Sequence, residues 1–330
     1  MNRRGTRPTI PPMVDYLMLL QLSSMRDAYA DALLELGSKD TRVVVLGADT
    51  SVSIKTSLFA DRYPERFFNV GIAESNMIGI AAGLALAGKI PYVSTYSAFV
   101  PGKCLDQIRN AVAYPNLDVK IVSSHGGLTV GPDGASHQTV EDVASMRAIP
   151  HMRVVVPADA SSTRSLVTES WKTPGPFYIR LSRAAVGEVY SSPADLRIGR
   201  AEALRDGSDI AIIACGVMVN EAVEAAESLS KEGISAEVVD SHTLKPIDSD
   251  TVLKAAKKTG GIVTAEEQSI IGGLGSAVAE TVSDSYPVPV SRIGLRDTFG
   301  ESGEHKELMD KYGLTPQEIV KASRRLVASR

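Results

Sequence analysis

Cysteine is nearly absent from this sequence, with two residues, Cys104 and Cys215, in 330. They stand far apart, and Cys215 lies in the apolar run DIAIIACG. A disulfide framework is excluded, and both read as free thiols of a reducing, intracellular setting. Cysteine and histidine never fall at the spacing of a metal site, so no metal ligands are assigned. An excess of one charge sign is lacking too. Thirty-five Lys and Arg against 39 Asp and Glu leave a net charge of −4. That gives no electrostatic footprint for nucleic acid or an anionic membrane. Aromatic residues are scarce, at 5% with a single Trp, so an aromatic residue in a loop stands out. There is no Gly-rich phosphate loop, and GGLGSA lacks the spacing of a dinucleotide fingerprint. There is no G-x-S-x-G nucleophile elbow.

What is present begins with MNRRGTRPTIPP, basic and proline-rich, followed by the apolar MVDYLMLLQL. This stretch mimics a signal peptide. Asp15 interrupts the short apolar run, however, and no small-residue cleavage site follows cleanly. Residues 1–21 therefore read as a flexible arm, too short to span a bilayer, and the setting as cytoplasmic. The remaining length fits two domains. Helical and strand patterns then alternate. SMRDAYADALLELG reads as a helix capped by Ser24 and stopped at Gly37. RVVVLGAD, IPYVSTY, DVKIVSS, MRVVVP and FYIRLS read as buried strands with helices between them. A second cycle runs from DIAIIACG to a last helix marked by Thr315, Pro316 and Glu318. The fold class is α/β, with two domains, each a mostly parallel sheet with helices on both faces. The boundaries fall at 22–185 and 200–330, with 186–199 a linker plus a small hairpin.

Four stretches can carry chemistry. Glu74 opens the helix of NVGIAESNMIGIAAGLALAG. It can simply complement the helix dipole, but its neighbours are Ile72, Ala73, Met77, Ile78 and Ile80. A carboxyl among apolar groups loses solvation, and an acid so placed can hold or share a proton. SSHGGLTVGPDGASHQTVED follows a strand and so lies at the carboxyl edge of the sheet, where open α/β sheets bind ligands. It brings His125, Asp133 and His137 together with several glycines, and reads either as a plain surface loop or as a site. Tyr96 and Phe99 in STYSAFVPGK read equally as core or as a stacking platform. Arg180 and Arg183 in IRLSR can bind phosphate, with Arg26 joining them, or can be ordinary solvated or salt-bridged arginines.

Five ordered blocks, GIAESNMIGIAAGLAL, PYVSTYSAF, SHGGLTVGPDGASHQ, ASMRAIPHMRVVVPAD and IRLSR, resemble the transketolase family. The resemblance covers residues 22 to 330 and corresponds to that family's pyrimidine-binding domain followed by its C-terminal domain. It implies thiamine diphosphate as cofactor, bound between domains of different subunits. It puts Glu74 at the position of the glutamate that contacts N1′ of the aminopyrimidine and favours its imino tautomer. By the same resemblance Phe99 stacks on that ring, with Tyr96 beside it and Asp49 near the cofactor. His137 matches the histidine near the donor's C1 and C2 oxygens, and Asp133 the aspartate that holds the adjacent hydroxyl. His125, Arg183 and Arg26 match the cluster for a sugar phosphate, joined by Ser53 in ADTSVS.

The family's Gly-Asp-Gly motif, which holds metal and diphosphate, is missing. RDGSD and PDGAS are the nearest fragments. The resemblance then implies half an enzyme: a split transketolase subunit that pairs with a separate diphosphate-binding subunit, which holds Mg2+ or Ca2+. Self-association through both domains gives an α2β2 assembly. The expected reaction is transfer of a two-carbon ketol unit from a ketose phosphate to an aldose phosphate. Three alternatives stand beside it: the beta subunit of a 2-oxo acid dehydrogenase, a deoxyxylulose-phosphate-synthase-like enzyme, and a non-catalytic assembly or regulatory subunit. Glu266, Glu267 and His305 read as polar loop or interface residues of a mainly structural second domain.

Overall fold

The computed structural model describes residues 22–190 and 193–329. The arm read at residues 1–21 lies outside the described residues. The first sheet is built from β2 (Val43–Gly47), β3 (Phe67–Asn69), β4 (Ile90–Tyr96), β5 (Lys120–Ser124), β6 (Arg153–Val155) and β7 (Phe177–Arg180). These six strands are parallel, in the order β6-β7-β5-β4-β2-β3. Their continuous apolar runs fit strands buried on both faces, and the packing follows the two-residue alternation. Val43 and Val45 join Tyr29 and Leu33 of the Met25–Lys39 helix on one face. Val44 and Leu46 join Met77 and Ile78 of the Glu74–Leu86 helix on the other.

The second sheet repeats the plan. It holds β9 (Glu202–Arg205), β10 (Ile210–Ala214), β11 (Ala236–Asp240), β13 (Ile262–Ser269) and β14 (Val290–Leu295) in the order β14-β13-β10-β11-β9. Only the edge strand β9 runs antiparallel. The α/β class with two mostly parallel, helix-covered sheets is thus the observed fold.

The structure departs from the sequence reading at four local points. Among the described residues no hairpin forms across the junction between the halves. Instead β8 (Val186–Gly187) pairs antiparallel with β1 (Leu22–Ser23), while β9 goes to the second sheet. Second, β12 (Thr243–Lys245), from the second half, pairs antiparallel with β6 and extends the first sheet to seven strands. A three-residue strand has too few residues to show a period. Third, the box expected at Thr315 is half made: its hydroxyl accepts from the Glu318 N–H at 3.4 Å, while the Glu318 carboxylate turns to Lys321. The complete capping box lies at Asp159, which accepts from the Ser162 N–H at 2.7 Å while the Ser162 hydroxyl accepts from the Asp159 N–H at 2.9 Å.

The fourth departure is Gly37. The first helix is capped by Ser24 as expected but runs through Gly37 to Lys39. A Cβ on Gly37 would lie 2.7 Å from a Phe59 ring carbon and 2.9 Å from one of Tyr63. The glycine therefore serves a close approach rather than a stop. Gly37→Ala gains helix propensity of about 1 kcal/mol but overpacks the two rings at about 1–3 kcal/mol. A lowered unfolding midpoint of the variant in chemical denaturation is the expected result. A raised midpoint would reduce Gly37 to a tolerated weak helix former.

Candidate active site

The parallel strands place the candidate residues, because each lies just past a carboxyl end. Asp49 and Ser53 follow β2, Glu74 follows β3, and Tyr96 and Phe99 end β4 and its turn. His125, Asp133 and His137 follow β5, and Arg183 follows β7. Arg26 arrives from the first helix, whose start lies beside that edge.

An aromatic group forms the centre. The Tyr96 ring lies 4.0 Å from His125 between centroids and 5.6 Å from Phe99. The His137 ring stands edge-on to Phe99 at 5.5 Å. Beside it the Glu74 carboxylate is buried, at 4% exposure, at the first position of its helix. Its neighbours are not only apolar. Lys103 Nζ lies 3.5 and 3.4 Å from the two Glu74 oxygens and 4.5 Å over the Phe99 ring. The ammonium thus bridges the carboxylate and the ring. Sequence reasoning passed over Lys103, though its position four residues beyond Phe99 puts it on the same side of a helical turn. Ile72, counted among the apolar neighbours, is 77% exposed.

A cationic group forms the second part. Arg26 Nη1 donates to the Ser53 carbonyl at 2.8 Å, and its Nη2 to the Arg183 carbonyl at 3.3 Å. Ser53 therefore contributes its backbone to this arrangement. Burial, and then the nearby Arg183 charge, lower the Arg26 pKa. Arg26 Nε is buried without a hydrogen-bond partner among the described residues. Arg183 donates to the Val130 carbonyl at 3.2 Å and faces Asp133 at 3.8 Å. An arginine held against the Arg183 backbone, within reach of the Arg183 charge, suits an anion with several oxygens. Asp49 is tied elsewhere: its carboxylate accepts from Asn69 Nδ2 at 2.7 Å, in a left-handed backbone conformation (φ 58°).

The loop reading of Glu266 and Glu267 is corrected here, and of the two readings of Arg180 the salt-bridged one holds. Arg180 is an ion-paired residue rather than an anion ligand. It is 1% exposed and enclosed by Asp142 (3.1 Å), Glu267 (3.2 Å) and Gln268 (3.3 Å). Glu266 and Glu267 are not loop residues but members of β13, at 0% and 2% exposure. Glu266 accepts from the N–H groups of Leu274 and Gly275, which open the next helix, and burial pushes its pKa up to about 7. The charges are tolerated because each has a buried partner or backbone donors, a fact local sequence cannot carry. His305 starts the His305–Tyr312 helix and lines a separate cavity of about 450 Å³ with Glu221 and Val217. None of the predicted site residues lines that cavity.

His125 gives a testable electrostatic signature. Its Nδ1 lies 2.6 Å from the Ser124 hydroxyl, and its φ is 59°. Burial, with Arg26, Arg183 and His137 nearby, pushes its pKa down to about 3. The ring is neutral in the fold across pH 5–8. Because the folded value is depressed, the linked stability is present above the unfolded value near 6.5 and is lost as pH falls toward 3. NMR of labelled imidazoles should show no His125 titration between pH 5 and 8. An inflection near 6.5 would contradict the site as described.

Comparison with known proteins gives the same frame. The transketolase pyrimidine-binding domain family matches residues 22–188, and the transketolase C-terminal domain family matches residues 199–319. The 6-deoxy-6-sulfo-D-fructose transketolase subunit SqwH of Clostridium sp. (strain MSTE9) is 46% identical over 299 residues, covering 91% of this chain and 93% of its own length. An apulose-4-phosphate transketolase subunit of Phocaeicola vulgatus is 39% identical over 307 residues, covering 93% and 98%. A solved structure described as a split-gene transketolase, an inactive beta4 tetramer, superposes with a TM-score of 0.88 at 49% identity, over 93% of this chain and 99% of that one. With two family domains in order and relatives matched along nearly their whole length, this chain belongs to the transketolase family, a family of transferases, and carries its pyrimidine-binding and C-terminal domains.

Proposed function

We propose that this chain is the C-terminal subunit of a split, thiamine-diphosphate-dependent transketolase that moves a two-carbon ketol unit from a ketose phosphate to an aldose phosphate. The observation that carries this reading is the convergence at one sheet edge of a buried carboxylate, an aromatic group with two histidines, and a pair of close arginines. The chemistry fits the cofactor's pyrimidine half. A buried acid next to the Phe99 ring is the donor set that an aminopyrimidine with a ring nitrogen requires. Thiamine diphosphate, when bound, supplies an acidic carbon and an electron sink.

The chain's own residues divide the remaining work. Glu74 holds or shares a proton at N1′, and burial keeps that proton from bulk water. Lys103 pairs with Glu74 across the same space, and Phe99 and Tyr96 would hold the aromatic ring of the cofactor there. Asp49 belongs to the cofactor side of this reading. His137 and Asp133 hold oxygens of the donor sugar. Arg26, Arg183 and the neutral His125 hold its phosphate, with the Ser53 backbone fixing Arg26. A neutral imidazole can donate one hydrogen bond there without adding a third charge.

The diphosphate and its Mg2+ or Ca2+ fall to a separate subunit in an α2β2 complex, in the cytoplasm. Two surface features support a macromolecular partner. Ile72, just before the Glu74–Leu86 helix, is 77% exposed and Leu86, at its end, 74%, and a Cβ on Gly79 or Gly83 between them would meet nothing within 4 Å. An apolar, low-relief face of that kind suits another chain. Among the described residues no helix is long and apolar enough to cross a membrane.

Two outcomes are expected. Calorimetric titration of thiamine diphosphate with Mg2+ should give weak or no binding to this chain alone and tight binding once its partner is mixed in. Tight binding to the lone chain would end the two-subunit reading. In the reconstituted complex, Glu74→Gln should lower kcat by roughly 10²-fold or more, with cofactor affinity changed less than kcat. Turnover equal to wild type would remove Glu74 from the proton relay.

A further inference from the structure

The loop after β5 holds three of the proposed substrate residues, and its fastenings lead out of its own domain. Glu267 Oε2, on β13 of the second domain, accepts from the Thr129 N–H at 3.1 Å and from its hydroxyl at 2.6 Å. The other Glu267 oxygen meets Arg180 at 3.2 Å. Thr129 Oγ1 also lies 3.3 Å from the Ser182 hydroxyl, one residue before Arg183. Gln138 Nε2 closes the far end, donating to the carbonyls of Leu128 (3.3 Å), Gly131 (3.1 Å) and Glu301 (2.9 Å). The last of these is again in the second domain. The loop backbone is pressed onto that same segment. A Cβ on Gly134 would lie 2.4 Å from the Ser302 hydroxyl, and one on Gly131 would lie 3.2 Å from the Gly303 carbonyl. Both glycines have φ of 77°, where a side chain would add strain.

The bonds of Thr129 to Glu267 and Ser182 are directional and buried, and the Gln138 bond to Glu301 is half-buried. Thr129 is 2% exposed and Gln138 is 1% exposed, so water cannot replace a lost partner at little cost. Between these fastenings lie Asp133 and His137, with His125 just before them. Packing alone would hold a glycine-rich loop weakly. A carboxylate that takes two bonds from one residue sets both its height and its rotation.

From this arrangement, and building on the functional reading above, we infer that Glu267 of the second domain is a positioning residue of the active site: through Thr129 it sets the loop that carries His125, Asp133 and His137, and through Ser182 it steadies Arg183. The second domain then has a part in sugar-phosphate recognition and is more than a dimer scaffold. Glu267 touches no reacting atom.

The test uses the reconstituted complex with three variants, Thr129→Val, Thr129→Ser and Glu267→Gln. Thr129→Val keeps the N–H bond and the side-chain volume but deletes the hydroxyl bond. It should raise KM for the ketose phosphate about tenfold, change kcat and the thiamine diphosphate Kd by less than about twofold, and speed hydrogen exchange in residues 125–139 selectively. Thr129→Ser should restore KM and exchange to near wild type. Glu267→Gln should move the same readouts in the same direction where the variant folds. Unchanged KM and unchanged loop exchange in Thr129→Val would overturn the inference, as would equal losses in KM, kcat and cofactor affinity, the mark of general destabilisation. If the wild-type complex transfers no ketol unit, the functional reading fails. Loop exchange in Thr129→Val still decides whether the clamp exists.

Discussion

One buried guanidinium holds the two halves of this protein in register. Arg180 sits at the end of β7, enclosed by Asp142 from the first domain and Glu267 from the second. A charge so far from water is sustained only where its partners are fixed. Asp142 is fixed by the Tyr178 hydroxyl at 2.7 Å, and Glu267 by Thr129. Tyr178 and Arg180 lie on one strand, so the sheet sets the distance between the partners. Domain packing and loop shape are consequences of the same ion group. Removing one member would leave the others buried and uncompensated, and the loss would spread along every bond described above.

This arrangement explains why the site can be half open. The charged groups on the outer side of the candidate site are partly exposed, while Glu74 and His125 within it are buried. Arg183 and Asp133 keep over a third of their side-chain surface, while Arg180, Asp142 and Glu267 keep almost none. Rigid buried charge supports exposed functional charge. Loops held in this way are in place before any ligand arrives, which lowers the ordering cost of binding.

Most of the architecture was legible from the sequence because parallel strands buried on both faces announce themselves as apolar runs. RVVVLG and DIAIIA need no tertiary information to be read. The Glu74 helix and the histidine loop were legible for a related reason: a lone carboxylate or a pair of histidines contrasts with small apolar surroundings. The misreadings share a cause. Glu266 and Glu267 look like surface residues because charge is usually solvated, and their burial, like that of Arg180, depends on partners far away in the chain. The gap from Arg180 to Glu267 is 87 residues. Gly37 misled in the same way, since the rings that need its bare face belong to later elements. Asp49 follows from the family resemblance alone, while its bond to Asn69 depends on the pairing of β2 with β3. Lys103 could have been found from its helical spacing to Phe99.

The strand β12 has a practical corollary for anyone dividing this chain. It covers the β6 edge of the first sheet, although it is encoded after β11. A fragment that stops at the junction between the halves would expose a row of unpaired N–H and C=O groups along β6. Such an edge is a template for any other extended segment. The pyrimidine-binding half produced by itself would therefore tend to pair edge to edge and come out of solution. A fragment design that retains Thr243–Lys245, or blocks the edge with a charged or proline substitution, would respect what the full chain supplies.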